Sequence, residues 1–259
     1  MTNGKPPSVN ALGTRVAALN LDEAVRLVGT WLREDATGRY VCATDVHCIM
    51  ESYRRPEVRR AYNSADLCVP DGMPLTWLGR LRGNCTMNRV YGPDLMLRLL
   101  RLSAESGITN FFLGGDEGVA DELSRRMTLR FPGLRTVGTH TPPFRPLLPR
   151  EKDNLIQQIN ALQPDLIWVG LGAPKQDLFM FEFHQALNSK VMIGVGAAFD
   201  FHTGRIRQAP RWMMPLGLEW FFRLCVEPRR LGPRYLRNNP SFLWHIFLQE
   251  TGIRHYPLD

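Results

Sequence analysis

Short apolar runs alternate with amphipathic segments along the first two hundred residues of the chain. The runs are bounded by Gly, Pro, Asn or Asp and are too short for helices, which is typical of buried strands. The predicted strands are Tyr40–Ala43, Ala65–Val69, Asn110–Leu113, Leu134–Val137, Asp165–Val169 and Val191–Val195. Strands that alternate with helices predict an α/β fold in which a parallel sheet is covered by helices on both faces.

Apolar residues recur at helical spacing between these runs. The predicted helices are one from Leu21, one ending near Tyr53, Pro56–Ser64, one from Met73, Asp94–Ser106, one from Val119, Arg150–Leu162 and Asp177–Leu187. Leu12–Leu19 precedes them and is predicted to be an extended hairpin around Gly13-Thr14. The N-terminal segment MTNGKPPSVN has no apolar core, so no signal peptide is expected.

The pattern changes after residue 201. Trp212–Val226 is predicted to form one amphipathic helix, whose apolar face carries Met213, Leu216, Trp220, Phe221 and Leu224. Glu219 and Arg223 are expected to form an i,i+4 pair on another face. A last helix, rich in Phe, Leu and Trp, is predicted to begin at Pro240. These features predict a helical appendage over residues 202–259, after a domain over residues 1–201.

Asp71 lies at the break between a strand and a helix. The sequence Pro70-Asp71-Gly72 ends the apolar run that finishes at Val69 and precedes the helix from Met73. Open α/β sheets bind ligands at the carboxyl ends of their strands, so the Asp71 carboxylate is a candidate for chemistry. The alternative is a structural one, in which Asp71 only caps the helix or closes the turn.

Three glycine-rich segments also follow predicted strands. Gly114-Gly115 opens the first, Gly170–Gln176 forms the second, and Gly194–Gly204 forms the third. Backbone N–H groups at such loops can bind phosphate, and the Lys175 and Gln176 side chains can reach a phosphate or a sugar hydroxyl. The alternatives are a tight turn at Gly114-Gly115 and a plain loop with an exposed lysine at 175. Three such loops at one sheet edge favour a ligand cleft.

Charge and composition narrow the function classes. The chain is 44% hydrophobic and 22% charged, as in ordinary globular proteins, and its net charge of +7 suggests an anionic partner. Residues 202–259 contain nine Arg and no Lys against four acidic residues, so this segment supplies most of that charge. Five widely spaced cysteines predict neither a disulfide framework nor a zinc site. The sequence contains no run of 18 apolar residues, so no membrane-spanning helix is predicted.

Several catalytic signatures are missing from the sequence. It contains no D-x-D carboxylate pair, no G-x-S-x-G, no Walker lysine loop and no G-x-G-x-x-G, and its histidines lack metal-ligand spacing. We therefore predict no metal and no cofactor. The composition and the sheet still allow two function classes, a nucleotide-cofactor oxidoreductase and a basic nucleic-acid-binding module.

A series of motifs extends from residue 70 to residue 230. They are PDG (70–72), RVYGPDL (89–95), FFLGGDEG (111–118), VGLGAPKQD (169–177), GVGAAFDFHTG (194–204), AP-x-W (209–212) and GLEWFFRL…EPRR (217–230). In this order they resemble the WecG/TagA/CpsF family of bacterial glycosyltransferases. The resemblance implies an inverting, metal-independent hexosyltransferase that moves a sugar from a UDP-sugar to a polyprenyl-diphosphate-linked saccharide. It also implies a Rossmann-like catalytic domain over residues 1–201.

The resemblance also implies roles for individual residues. Asp71 matches the general base of the family, and Gly114, Gly115, Gly172 and Lys175 are expected to bind the nucleotide. The acceptor and sugar-binding candidates are Thr44, Asp45, His47, Arg89 and Gln176. Arg223 and Arg230 match arginines of the appendage that bind diphosphate, and Arg234 is a third candidate, although Gly232-Pro233 disturbs the spacing before it.

One departure from the family pattern bears on the donor sugar. Many members carry T-x-N where this chain has Ala43 and Asp45, which argues against an N-acetylmannosamine pocket. We therefore expect glucose, as in the exopolysaccharide-gum branch with its xanthan-type GumM β-glucosyltransferases. An N-acetylmannosaminyl-type transferase for cell-wall or antigen polymers is the alternative.

The resemblance places the enzyme at a lipid surface. We expect a peripheral protein at the cytoplasmic face of the inner membrane, in contact with anionic lipid and not with nucleic acid, and a homo-oligomer is left open. The Trp, Phe and Leu side chains of 212–226, together with the arginines, suit attachment to a membrane surface. The alternative is that these apolar side chains pack into the core of the domain.

Overall fold

A computed structural model describes residues 6–258 of the chain. Residues 1–5 and 259 lie outside the described residues, and they include half of the N-terminal segment considered above for a signal peptide. The described part begins with the antiparallel hairpin of β1 (Ser8–Ala11) and β2 (Thr14–Ala17). A hairpin is present as predicted, but its first strand precedes Leu12 and its turn is Leu12-Gly13 rather than Gly13-Thr14.

A six-stranded parallel sheet forms the centre of the α/β fold, as predicted. Its strands are β3 (Arg39–Thr44), β4 (Leu67–Pro70), β5 (Thr109–Gly114), β6 (Arg135–His140), β7 (Leu166–Gly170) and β8 (Val191–Gly194). Their order in the sheet is β4-β3-β8-β7-β5-β6. The register pairs Gly114 with Gly170 and Val169 with Gly194, so three glycine-bearing strand ends lie side by side.

Helices connect the strands, and most lie where the apolar periodicity predicts them. They are α1 (Leu21–Trp31), α2 (Val46–Arg54), α3 (Pro56–Ser64), α4 (Met73–Leu81), α5 (Gly92–Ser106), α6 (Val119–Arg130), α7 (Pro149–Leu162), α8 (Lys175–Phe183), α9 (Ala198–Thr203), α10 (Glu219–Val226) and α11 (Pro228–Glu250). The central strands are almost fully buried, with Phe111, Phe112 and Trp168 inaccessible to solvent. Strands buried on both faces have continuous apolar runs, which is why sequence pattern located them.

The C-terminal segment differs from the prediction in two places. Residues 212–226 do not form one helix: a short 3-10 helix at Arg211–Met213 is separated from α10 by a turn at Met214–Gly217. Gly217 has φ +70°, a left-handed conformation that ends helical geometry there. The last helix begins at Pro228 rather than at Pro240. Pro228 occupies the first helical turn, which a missing N–H does not disturb, and Pro233 and Pro240 both lie inside α11.

The chain divides into two compact units. The first contains residues 6–21, Ala43–Tyr91 and 207–258, and the second contains Asp22–Cys42 and Gly92–Ile206. In the first unit, Phe242 of α11 belongs to an apolar cluster with residues of β1, α2 and α4. The division predicted between residues 201 and 202 stays a prediction.

No helix within residues 6–258 combines the length and the hydropathy that a transmembrane helix needs.

Candidate active site

Asp71 directly follows β4, at the carboxyl end of the strand. Its backbone N–H donates to the Thr44 carbonyl at 2.9 Å, which fixes the turn beside the end of β3. The N-cap of α4 is Gly72, one residue after Asp71. Asp71 is therefore not the N-cap residue of this helix. The side chain is 25% exposed, so its carboxylate can be reached from solvent.

The Arg89 guanidinium lies between two carboxylates. Its Nη2 is 2.7 Å from Glu219 Oε2 and 3.5 Å from Asp71 Oδ1, and its Nε donates to the Asp71 carbonyl. Burial opposes the charge of Arg89, but the two carboxylates outweigh it and raise the pKa of the guanidinium above its ordinary value. Arg89 is therefore a permanent cation beside Asp71.

Tyr91 contacts both Arg89 and Glu219 in this cluster. The Arg89 Cζ lies 4.2 Å from the centre of the Tyr91 ring, and the Tyr91 hydroxyl donates to Glu219 Oε1 at 3.1 Å. Burial and the nearby carboxylates of Glu219 and Asp71 raise the pKa of Tyr91 above its ordinary value. The phenol therefore stays protonated and acts as a hydrogen-bond donor.

A second polar cluster surrounds the start of α2. Asp45 is the N-cap of this helix, and its Oδ1 accepts the Cys48 N–H at 2.9 Å. Asn238 of α11 is 3% exposed; its Oδ1 accepts from Arg54 at 2.8 Å, and its amide nitrogen lies 3.0 Å from His47 Nδ1. The predicted residues Asp45 and His47 thus lie beside an asparagine from the far end of the chain.

The charge of Asp45 is stabilised by its surroundings. Burial disfavours the carboxylate, but His47, Arg234 and the Cys48 N–H together keep the pKa of Asp45 below its ordinary value of 3.8. A side chain at Gly72 would lie 3.3 Å from the Asp45 Cα. The turn that carries Asp71 therefore packs directly on the turn that carries Asp45, and the two clusters are neighbours within the first unit.

The predicted diphosphate-binding arginines lie on the last two helices. Arg223 is partly buried on α10, Arg230 is exposed on α11, and Arg230 makes two hydrogen bonds with Glu227, at 2.8 and 2.6 Å. Arg234, also partly buried, adds positive charge near Asp45. The buried Nε atoms of Arg223 and Arg234 have no hydrogen-bond partner.

The Gly114-Gly115 turn is held by its own backbone. Gly114 has φ +120°, and a Cβ there would lie 2.6 Å from the Gly170 carbonyl carbon and oxygen. The Gly115 N–H donates to the Gly170 carbonyl at 2.9 Å. These glycines let β5 and β7 approach each other at their ends, which is the structural alternative stated above for this turn. Their role in nucleotide binding stays a prediction.

The second and third glycine-rich loops are joined by Gln176. This side chain is 2% exposed, and its Oε1 accepts the Gly196 N–H at 2.9 Å. Lys175 is exposed, with its Nζ 4.1 Å from the centre of the Phe144 ring. A side chain at Gly172 would meet no atom within 4 Å, so the backbone is open at this position.

Sequence reasoning missed three residues of these clusters: Tyr91, Glu219 and Asn238. Tyr91 and Glu219 lie inside the motifs RVYGPDL and GLEWFFRL, so motif membership was the available signal. Asn238 carried no signal, because an asparagine within an arginine-rich segment looks like a surface residue. No group of three or more His, Cys, Asp or Glu side chains within residues 6–258 could hold a metal ion.

Comparison with known proteins identifies the family of the chain. Residues 9–256 match the family described as Glycosyl transferase WecG/TagA/CpsF family. The chain belongs to this family. It is therefore a glycosyltransferase of the hexosyltransferase type, and the resemblance inferred from the motifs is confirmed. This class differs from the oxidoreductase that the parallel sheet also allowed.

Two curated relatives carry the same name, N-acetylglucosaminyldiphosphoundecaprenol N-acetyl-β-D-mannosaminyltransferase. The protein from Bacillus spizizenii is 27% identical over 215 residues, which cover 83% of this chain and 81% of the relative. The protein from Bacillus subtilis is 28% identical over 168 residues, which cover 65% of this chain and 64% of the relative. The names of both relatives specify N-acetylmannosamine and not glucose as the transferred sugar.

Proposed function

We propose that this family member transfers one sugar from a UDP-sugar to the hydroxyl group of a polyprenyl-diphosphate-linked acceptor. The observation that carries the proposal is Asp71, a solvent-accessible carboxylate at a strand end beside Arg89. Asp71 is proposed as the general base. Membership in a glycosyltransferase family supplies the reaction class, and the names of the relatives suggest the lipid-linked acceptor.

The reaction is a single displacement with inversion. The acceptor oxygen forms a bond to the anomeric carbon, the bond from that carbon to the diphosphate breaks, and the hydroxyl proton moves to an Asp71 carboxylate oxygen. UDP leaves with the electron pair of the broken bond. A base contributes here because the acceptor hydroxyl becomes acidic only as its new bond forms.

The departing diphosphate needs positive charge or N–H donors. We propose that the backbone around Gly172 and the Lys175 side chain bind the nucleotide in the second unit. In the first unit, Arg223, Arg230 and Arg234 are proposed to bind diphosphate groups. Arginine suits this role because its guanidinium remains charged and offers two parallel donors.

We propose N-acetylmannosamine rather than glucose as the sugar that is transferred. Both relatives are named for this sugar. The argument for glucose depended on Ala43 in place of threonine and Asp45 in place of asparagine, and the Asp45 side chain caps α2. Asn and Asp cap helices about equally well. The exchange at position 45 is thus explained by local structure and does not require a different sugar.

A donor panel tests this function. Purified protein receives UDP-N-acetylmannosamine or UDP-glucose, a lipid-diphosphate-linked N-acetylglucosamine acceptor, and EDTA, and the lipid product is detected by mass spectrometry. We expect the product to gain an N-acetylhexosamine unit. A product that gains only a hexose would restore the glucose hypothesis. If folded protein gives no product with either donor, the proposed substrates are wrong.

We also propose that the C-terminal helices attach to a membrane surface. Helix α10 buries Glu219, whereas Trp220 and Phe221 are 42% and 50% exposed. On α11, Leu243, Trp244 and Phe247 are more than half exposed, and Arg229, Arg230 and Arg237 are exposed as well. Exposed aromatic side chains beside arginines suit an anionic lipid interface.

Vesicle flotation tests the attachment. The full chain is mixed with vesicles that contain phosphatidylglycerol, and a variant with Trp220→Ser and Phe221→Ser is compared with Leu129→Ser. Leu129 is 70% exposed on α6, so it is a control for the loss of exposed apolar surface. We expect the double variant to float less than the wild type and Leu129→Ser to float equally. Equal flotation of all three proteins would contradict the proposal.

A further inference from the structure

Glu219 is the carboxylate nearest to the Arg89 guanidinium. The distance from Arg89 Nη2 to Glu219 Oε2 is 2.7 Å, whereas Asp71 Oδ1 lies 3.5 Å from the same nitrogen. The contact with Glu219 is an ion pair whose oxygen, Oε2, makes no hydrogen bond, whereas Arg89 donates to the Asp71 carbonyl and, at 3.5 Å, to Asp71 Oδ1. One cation therefore interacts with two carboxylates, and its Nη2 lies nearer to the carboxylate that is not proposed as the base.

The burial of Glu219 is unusual for its helix. Amphipathic helices normally bury apolar side chains and expose charged ones. Helix α10 has the opposite arrangement, because Glu219 is its buried residue while the adjacent Trp220 and Phe221 are exposed. A buried carboxylate is costly unless it is paired, and Arg89 and Tyr91 supply that pairing. This orientation places the Glu219 carboxylate against Arg89, which also contacts Asp71.

We propose that Glu219 is a positioning residue for the transfer reaction: it binds Arg89 in competition with Asp71 and so leaves the Asp71 carboxylate able to accept a proton. The functional consequence depends on the proposed role of Asp71 as general base. The competition itself does not, because it concerns only the three charged groups and their distances.

The expected consequence follows from electrostatics. A guanidinium paired with Asp71 alone would stabilise the ionised carboxylate and weaken it as a base. The second negative charge of Glu219 offsets this attraction and repels a charge on Asp71. Removing the charge of Glu219 while keeping its shape therefore makes Asp71 release its proton at a lower pH. A weaker base accepts the acceptor proton less readily, and transfer becomes slower.

The other charged groups around Asp71 are the same in wild type and in the Glu219 variants. The loop before α5 contributes the charge of Arg89, and α10 contributes Glu219 itself. Next to Gly72 lies Asp45, whose own charge interacts with His47 and Arg234. A change confined to Glu219 leaves all of the others in place.

Glu219→Gln tests the inference by two measurements. In the first, protein labelled with 13C at aspartate side-chain carboxyls is titrated by NMR, and the Asp71 signal is assigned by its loss in Asp71→Asn. In the second, kcat is measured against pH. We expect the Asp71 titration and the acid limb of the kcat profile to move down by about one pH unit, and kcat on the plateau to fall about threefold to tenfold.

Three further variants make the test specific. Tyr91→Phe removes a hydrogen bond from Glu219 without changing any charge, so the Asp71 titration should keep its wild-type midpoint. Glu250→Gln removes a carboxylate of the same type that pairs with Arg82 elsewhere, and it should leave both measurements unchanged. Glu219→Asp keeps the charge on a shorter side chain, so its midpoint should lie between those of wild type and Glu219→Gln. It also replaces Glu219→Gln if that variant does not fold.

The two measurements separate the inference from the proposed function. An Asp71 titration that is unchanged in Glu219→Gln and in Glu219→Asp would overturn the competition for Arg89. A shifted titration in a protein whose Asp71→Asn variant still transfers sugar would support the competition and remove Asp71 from the base role. A loss of kcat with no movement of either titration would make Glu219 a purely structural residue.

Discussion

The two regions that carry the candidate site residues are built by different forces. Around Asp71, in the first unit, charged side chains hold one another: Arg89 lies between two carboxylates, and Asp45 is stabilised by His47 and Arg234. Around Gly114, in the second unit, backbone meets backbone, and the N–H of Gly115 bonds to a neighbouring strand end. The first region is organised by charged side chains, and the second by close contact between the backbones of neighbouring strand ends.

The difference determines how each region can change during function. Charges act over several ångströms and respond to protonation, so the first region can adjust when a proton moves. Close backbone contacts leave no room for a side chain, so the second region is stiff and offers fixed N–H groups. Proton transfer suits the first arrangement, and binding of a constant group such as a nucleotide suits the second.

The largest expected effect is at Asp71. Asp71→Asn keeps the size of the side chain but cannot accept the acceptor proton, so we expect transfer to fall by about 100-fold to 10,000-fold. Binding of UDP, measured by calorimetry, should stay within about twofold of the wild type. Asp22→Asn is the control, because this carboxylate is 71% exposed and pairs with Arg98. Retained transfer in Asp71→Asn would show that the charged region is not the catalytic one.

The close contact between the ends of β5 and β7 is tested at Gly114. Gly114→Ala would place a Cβ 2.6 Å from the Gly170 backbone at a φ of +120°, so we expect a loss of about 3 kcal/mol in the free energy of unfolding. Gly107→Ala serves as control: its φ is +71°, but no atom lies within 4 Å of the added Cβ. It should cost about 1 kcal/mol. Equal losses in urea denaturation would mean that the contact with Gly170 is unimportant.

A smaller effect is expected at Gln176. Gln176→Leu conserves the approximate volume but leaves the Gly196 N–H without its acceptor, which should cost about 2 kcal/mol of unfolding free energy. If the side chain also contacts the sugar, as the family resemblance implies, the KM for the donor rises in addition. Gln157→Leu on the exposed face of α7 is the matched control, and it should change neither quantity. If Gln176→Leu is as stable as the wild type, the hydrogen bond between Gln176 and Gly196 does not hold the two loops together.

The smallest effect concerns pH and Asp45. The pKa of Asp45 is below its ordinary value of 3.8, so its charge stabilises the folded state above that pH, and this stabilisation is lost as the pH falls through the folded pKa. Asn also caps helices, so Asp45→Asn should cost only about 1 kcal/mol at pH 7. Urea denaturation at pH 7 and below pH 3.8 should show this difference shrinking. A difference that is independent of pH would exclude the charge as its cause.

The fold could be predicted from the sequence because burial produces periodicity. Buried parallel strands such as Val191–Gly194 are continuously apolar, and helices such as Pro56–Ser64 begin with a proline that favours a first turn. The same logic failed near the C-terminus, where several prolines could start the last helix. Pro228 does so, and the pattern alone could not choose between it and Pro240.

The candidate site could be predicted only in part. Asp71 was found because a strand end is a local feature of the sequence. Glu219 was missed because a glutamate four residues before Arg223 looks like half of an exposed ion pair. Its actual neighbours, Arg89 and Tyr91, are more than a hundred residues away along the chain. Long-range pairing of charges leaves no periodic trace, so amphipathic patterns cannot reveal it.

The turn at Gly217 provides an optical probe of helix α10. A Cβ at this position would lie 2.8 Å from the Trp77 ring, so the bare glycine backbone lets the indole lie against the turn two residues before Glu219. Indole emission moves to longer wavelength when water replaces such a contact. The emission of Trp77, isolated by replacing the other tryptophans with phenylalanine, would therefore report in real time whether α10 stays seated as substrates arrive.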